Sequence, residues 1–117
     1  VSQENYKRYN GPRDLAAYYK TEKDIIYRNT QLMDKVEFRK LNLNFDNAPQ
    51  NVRLVMFRNN MIYYNPARQD YMLQVLYRSM SVSGLLILGI RERISGISAT
   101  RDFELINPSE SVYRKKI

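Results

Sequence analysis

Between residues 52 and 57 the chain reads VRLVMF, a short run that is apolar at every position but one. Continuous apolar runs of this length suit strands covered on both faces. Asn65 then offers a helix N-cap, and Pro66 fits the first helical position. Met72, Val75, Leu76 and Met80 follow at helical spacing, which predicts a helix to about residue 80. "VSG" breaks it, and GLLILGI at 84–90 is a second continuous apolar strand. Strand, amphipathic helix and strand within about 40 residues make a βαβ unit, with parallel strands and a right-handed crossover. The tail DFELINPSESVYRKK sets two short segments around NPSE and predicts a β-hairpin.

Upstream the pattern is weaker. Residues 1–10 are polar and read as frayed. Gly11-Pro12 marks a turn, after which Leu15, Tyr18 and Tyr19 share one face of a short helix. YRNTQLMDK is irregular or a single helical turn. In VEFRKLNL the apolar positions Val36, Phe38, Leu41 and Leu43 alternate imperfectly, giving a strand over about 36–42. Asp46, Asn47 and Pro49 form a loop. No internal repeat or low-complexity tract is visible.

The totals narrow the chemistry. The chain has 117 residues, 44% hydrophobic and 26% charged, as expected of one soluble globular domain. No apolar run is long enough for a membrane span, so no membrane insertion is expected, and no basic-then-apolar leader is visible. Cys and His are both absent, which excludes disulfides, thiolate chemistry, His- or Cys-held metals and a His general base. That removes most hydrolase mechanisms. The net charge is +7 and ten residues are Tyr, a combination that could serve nucleic acid. The excess is scattered, however, with nine Lys/Arg against seven Asp/Glu before residue 52 and ten against five after it. A solvated basic surface is the better reading, and nucleic acid is not the expected partner. The chain starts at Val1, as a processed or excised piece would.

In an open parallel sheet, ligands bind outside the carboxyl ends of the strands. Here those ends are FRNNMIYY and LGIRERIS, which carry Arg58, Asn59 and Asn60 on one side and Arg91, Glu92 and Arg93 on the other. Polar loop residues can be polar only because they are exposed. On its own, Arg91-Glu92-Arg93 reads as a solvated charge cluster, and Tyr63 and Tyr64 read as packing at the sheet edge.

FRNNMIYYN resembles the CRNVxIYFD signature of the CheR-type protein-glutamate O-methyltransferases, which modify chemotaxis receptors. VEFRKLNL resembles the family's VxFxxxNL segment, SGLLILGIRE its GGYLFLGHSE and SVYRKK its closing xVYRK. DLAAYY stands where the family has a short helix ending in RYF. The likeness runs in order over about residues 6–116. It implies an α/β fold: part of a class I, Rossmann-like sheet dependent on S-adenosylmethionine (SAM), mainly parallel with a C-terminal antiparallel hairpin, over the single domain 1–117. By the same resemblance, Asn42 and Leu43 would line the adenine side of the cofactor. Arg58, Asn59 and Asn60 would lie beside its methionine and ribose portion, and Tyr63 near the methyl-transfer point as the catalytic residue. S-adenosylhomocysteine (SAH) would be the product, the partners would be cytoplasmic receptor helices bearing glutamates, and the location cytoplasmic. No metal is implied.

The chain also departs from the family pattern. Phe57 replaces the family Cys, Asn60 the Val, and Tyr64-Asn65 the Phe-Asp pair, while GHSE has become Gly89-Ile90-Arg91-Glu92. No glycine-rich first βα loop is present, nor an acidic residue ending a second strand. Class I methyltransferases order their strands 3-2-1-4-5-7-6, and this chain is expected to hold the third to the seventh. The 52–57 strand would then offer an open edge, which would either displace the 36–42 strand or recruit a second copy. The isolated piece is expected to be inactive. A non-catalytic remnant serving as a protein-interaction module is the alternative, and a basic nucleic-acid-binding domain the third reading.

Overall fold

The computed structural model describes residues 3–23, 25–40, 42–95 and 101–117. They fall into two units, Val1–Lys40 and Leu41–Ile117, each treated by itself.

In the first unit, α1 (Gln3–Tyr9) is a helix where a frayed end was expected. A 3-10 turn, Leu15–Tyr18, follows, begun by the Asp14 carboxylate, which accepts from the Ala16 amide. β1 (Tyr19–Glu22) and β2 (Ile25–Arg28) then pair antiparallel. Tyr19 is therefore the first strand residue and not part of a helical face. The hairpin lacks the Asn-Gly or Asp-Gly signal that makes such turns readable, although Lys23 takes a left-handed φ of 48°. A second 3-10 turn, Thr30–Met33, matches the helical turn expected there. Tyr6, Tyr18, Leu32 and Met33 line a cleft of about 340 Å³ that none of the expected site residues reaches.

The expected strand at 36–42 does not form: residues 36–40 and 42 have no regular structure, and Leu41 lies outside the described residues. A strand needs a ladder partner, and no described strand pairs with this segment. Val36 and Phe38 are exposed, and Arg39 instead grips Glu37 through two bonds of 2.6 and 2.7 Å. That grip holds the Glu37 carboxyl below its usual range.

In the second unit, β3 (Val52–Phe57), α2 (Pro66–Ser79) and β4 (Met80–Leu88) form the expected βαβ unit, with β3 and β4 parallel. Asn65 caps α2, its side-chain oxygen accepting from the Arg68 amide at 2.9 Å, and Pro66 takes the first turn. Met72, Leu73, Val75, Leu76 and Ser79 form its buried stripe. Helix passes into strand without a loop, so β4 begins four residues earlier than the apolar pattern suggested. Lys115 closes the helix end by donating to the Tyr77 and Met80 carbonyls at 2.8 and 2.7 Å. The early part of β4 is irregular. Register shifts between Val52 and Leu54, Ser83 has a φ of 61°, and a Cβ on Gly84 would lie 2.9 Å from the Ser81 carbonyl. Only glycine fits so close to another backbone.

β5 (Phe103–Asn107) and β6 (Val112–Lys115) form the expected C-terminal hairpin. The Asn107 side chain organises its turn, accepting from the Ser109 and Glu110 amides. The sheet order is β3-β4-β6-β5. β3 and β4 are parallel and β6 runs antiparallel to both its neighbours, so this four-stranded sheet is mixed: three strands share one direction and the C-terminal hairpin supplies the reversed one. Leu86 and Leu88 are fully buried at the centre, packed with Met72, Leu76, Phe103 and Tyr113. Among the described strands β3 lies at one edge of this sheet.

Candidate functional site

The site is built at the carboxyl ends of the two parallel strands. β3 runs into Arg58, after which Asn59 turns the chain with a left-handed φ of 57°. Asn is among the few residues that tolerate this conformation. Asn60 follows, its side-chain amide donating back to the Arg58 carbonyl at 3.1 Å, and a 3-10 turn, Met61–Tyr63, completes the loop. Gln69 on α2 fastens that turn from below, donating to the Met61 and Tyr64 carbonyls at 2.9 and 3.0 Å.

Glu92 holds the loop from the β4 side. One carboxylate oxygen accepts from the amides of Asn59 (2.8 Å) and Gly89 (2.6 Å). The other accepts from Met61 (2.8 Å) and Ile62 (3.3 Å). Only 4% of the residue is exposed. Gly89 makes room for it: a Cβ there would fall 2.4 Å from the Asn59 side-chain oxygen and 2.7 Å from the Glu92 carboxylate.

Arg93 works in the opposite direction. Its guanidinium donates to the carbonyls of Ile90 and Glu92, to the Ser111 hydroxyl and to the Pro108 carbonyl, tying the β5–β6 turn to the β4 exit. Ser111 is fully buried with a φ of 52°. Arg91 is exposed, as Arg93 is, but takes no part in this web. The solvated charge cluster expected at 91–93 is therefore a pair of clamps flanked by one surface arginine. Charge alternation hid this, because half of the partners of Glu92 and Arg93 are backbone groups 15 to 33 residues away.

Arg58, Asn59 and Asn60 are brought together with exposed side chains, and Tyr63, 79% exposed, stands at the end of the same loop. Asn42 and Leu43 come from a separate, irregular segment. Asn42 is exposed and its carbonyl accepts from the Asn47 side chain, while Leu43 packs against the core that Phe57 and Tyr64 also flank. Among the described residues no cluster of acidic side chains suits a metal ion. The arrangement offers an exposed guanidinium, two amide side chains and a phenol at the ends of a parallel strand pair. Such a set suits a ligand with a carboxylate and hydroxyl groups better than a bare ion.

An α/β domain with a mixed sheet and a polar loop at its parallel strand ends is consistent with a methyltransferase. The family model "CheR methyltransferase, SAM binding domain" matches residues 8–112, and the chain belongs to that family. A protein of Pseudomonas putida strain KT2440 named "Putative methyltransferase Cher3" is 31% identical over 113 residues, which is 97% of this chain. The chain spans 41% of that relative's length. S-adenosylmethionine is the cofactor of this domain family. The residue types present on one side are compatible with it, since a guanidinium can pair with a carboxylate and side-chain amides with hydroxyl or amino groups.

Proposed function

We propose that this chain is the C-terminal part of a SAM-dependent protein-glutamate O-methyltransferase acting on chemotaxis receptors in the cytoplasm. The observation that carries the reading is the Arg58–Tyr63 loop, fixed across the ends of two parallel strands in a chain that the family matches over residues 8–112. Sheet order adds support. β3-β4-β6-β5 corresponds to the run 4-5-7-6 of the class I order, with β3 in fourth place and its free edge where the first strand would pair. The third strand, expected at 36–42, is not part of this sheet.

Bound S-adenosylmethionine supplies a methyl group on a sulfonium, ready for in-line attack by a carboxylate oxygen. The protein's part is positioning. Arg58 would pair with the methionyl carboxylate, Asn59 and Asn60 would hold the polar groups beside it, and Leu43 with Asn42 would meet the adenine. Tyr63, held on a turn that Gln69 and Glu92 both fasten, would orient the incoming glutamate through its hydroxyl. No general base is required, because a glutamate is already ionised near neutral pH. The chain supplies one side of this site, so it is expected to be inactive alone.

The test is methyl transfer from labelled SAM to cytoplasmic receptor helices. The intact protein carrying this domain should add base-labile label, as a glutamyl ester must, and this chain alone should add none. Base-stable label would contradict the reading. A second reading, an interaction module of methyltransferase ancestry, is favoured by the exposed Leu54 and Met56 on β3. It predicts that the intact protein binds receptor but transfers no methyl.

A further inference from the structure

The buried carboxylate of Glu92 takes no direct part in the proposed chemistry, yet it accepts four hydrogen bonds at the site. Among the described residues no Lys or Arg pairs with it. Its charge is met instead by four backbone N–H groups, two on each oxygen. One oxygen joins the exits of β3 and β4 through Asn59 and Gly89. The other holds the start of the 3-10 turn that ends at Tyr63. At 4% exposure and with both oxygens occupied, Glu92 is not placed to touch a ligand itself.

We propose that Glu92 is a positioning residue that presets the ligand loop: it fixes the path of residues 59–62 and so the aim of Arg58, Asn59, Asn60 and Tyr63. The inference rests on the cofactor reading above and deepens it. The loop has few other holds on the β4 side. Its three polar side chains are exposed, and Asn59 is kept at a φ of 57° while its side-chain oxygen lies over Gly89. The geometry demands a carboxylate of this length. Glutamine would offer one accepting oxygen and turn its NH₂ group toward two N–H donors. Aspartate would keep the charge but fall one methylene short.

The test uses ¹⁵N-labelled chain as the unsubstituted form, Glu92→Gln, Glu92→Asp and, as a control, Arg91→Ala on the exposed neighbour. Two readouts are taken: amide hydrogen exchange, and titration with SAH followed by amide shifts. Exchange at Asn59, Met61, Ile62 and Gly89 should quicken by about tenfold or more in both Glu92 variants, the scale of a lost bond to a charged group. Core amides of Val75, Leu86 and Leu88 should hold, SAH affinity should fall by at least a similar factor, and Arg91→Ala should change neither readout. Unchanged exchange at the four amides would overturn the proposal. So would unchanged SAH affinity over a loosened loop. Should Glu92→Gln fail to fold, Glu92→Asp decides, and failure of both would make the role one of general stability and overturn positioning. If the unsubstituted chain takes up no SAH, the cofactor reading fails by itself, and the exchange rates alone decide whether Glu92 presets the loop.

Discussion

Asn59 turns the chain with positive φ, and in the proposed site its side chain would also meet the ligand. The two can be separated. Ala at a left-handed position costs about 1 kcal/mol, whereas Gly adopts it freely. Asn59→Ala should therefore lower the thermal midpoint while Asn59→Gly leaves it nearly unchanged, and both should lose SAH binding. Equal melting with retained binding would remove Asn59 from the site. Gly89 gives a second prediction at this scale. A methyl there would stand 2.4 Å from the Asn59 side-chain oxygen and 2.7 Å from the Glu92 carboxylate. The asparagine can swing away, but the carboxylate is tethered by four amides. Gly89→Ala should cost about 1–3 kcal/mol in urea unfolding, the range for overpacking a tight site. The polar run at 58–60 was legible because it follows a buried strand. The part played by Glu92 was not, since nothing in Gly-Ile-Arg-Glu-Arg signals that the acid turns inward while the first arginine stays out.

Elements with both a period and a cap were readable from sequence. The α2 helix had Asn65, Pro66 and a helical apolar stripe, and the structure ends it within one residue of the expected limit. Removing the cap tests its weight: Asn65→Ala should destabilise by about 1 kcal/mol, read by thermal melting, with the sheet intact by circular dichroism. Its effect should extend to the site, because the first turn of α2 carries Gln69, which holds Met61 and Tyr64. The segment at 36–42 was misread for a physical reason. Alternation reports a half-buried surface, but a strand also needs a neighbour, and Val36 and Phe38 find none in their unit. The β1–β2 hairpin was missed for the converse reason, as its pairing is local but its strands are wholly exposed at Ile25–Arg28. β4 began early because Ser81 and Ser83 broke the apolar pattern without breaking the strand.

At the scale of the molecule, the sheet has one covered and one open face. Val55, Phe57, Leu86 and Leu88 turn toward α2 and the core, while Leu54 and Met56 on the β3 edge are 52% and 63% exposed. Their register partners Leu85 and Ile87 extend the same apolar face across β4. An edge of this kind, with unpaired backbone groups and apolar side chains, tends to recruit another strand. Sedimentation across a concentration series should show reversible self-association that Leu54→Lys with Met56→Lys abolishes. A chain that stays monomeric at every concentration would mean that the open face is tolerated. Sheet order was legible only through the family resemblance, since no local pattern says that β6 inserts between β4 and β5. The family itself was legible because four motifs stand in register over most of the chain.

The loop following β3 is proposed as a SAM site preset across the strand ends. It is tested most directly by recording amide spectra of the ¹⁵N-labelled chain while SAH is added. This readout detects weak binding as well as tight and reports where it occurs. Progressive shifts are expected at Arg58, Asn59, Asn60 and Tyr63, with Asn42 and Leu43 moving in step, and the same titration should be silent in Asn59→Gly. Shifts confined to the cleft beside Tyr6 and Tyr18, or none with SAH in large excess, would contradict it.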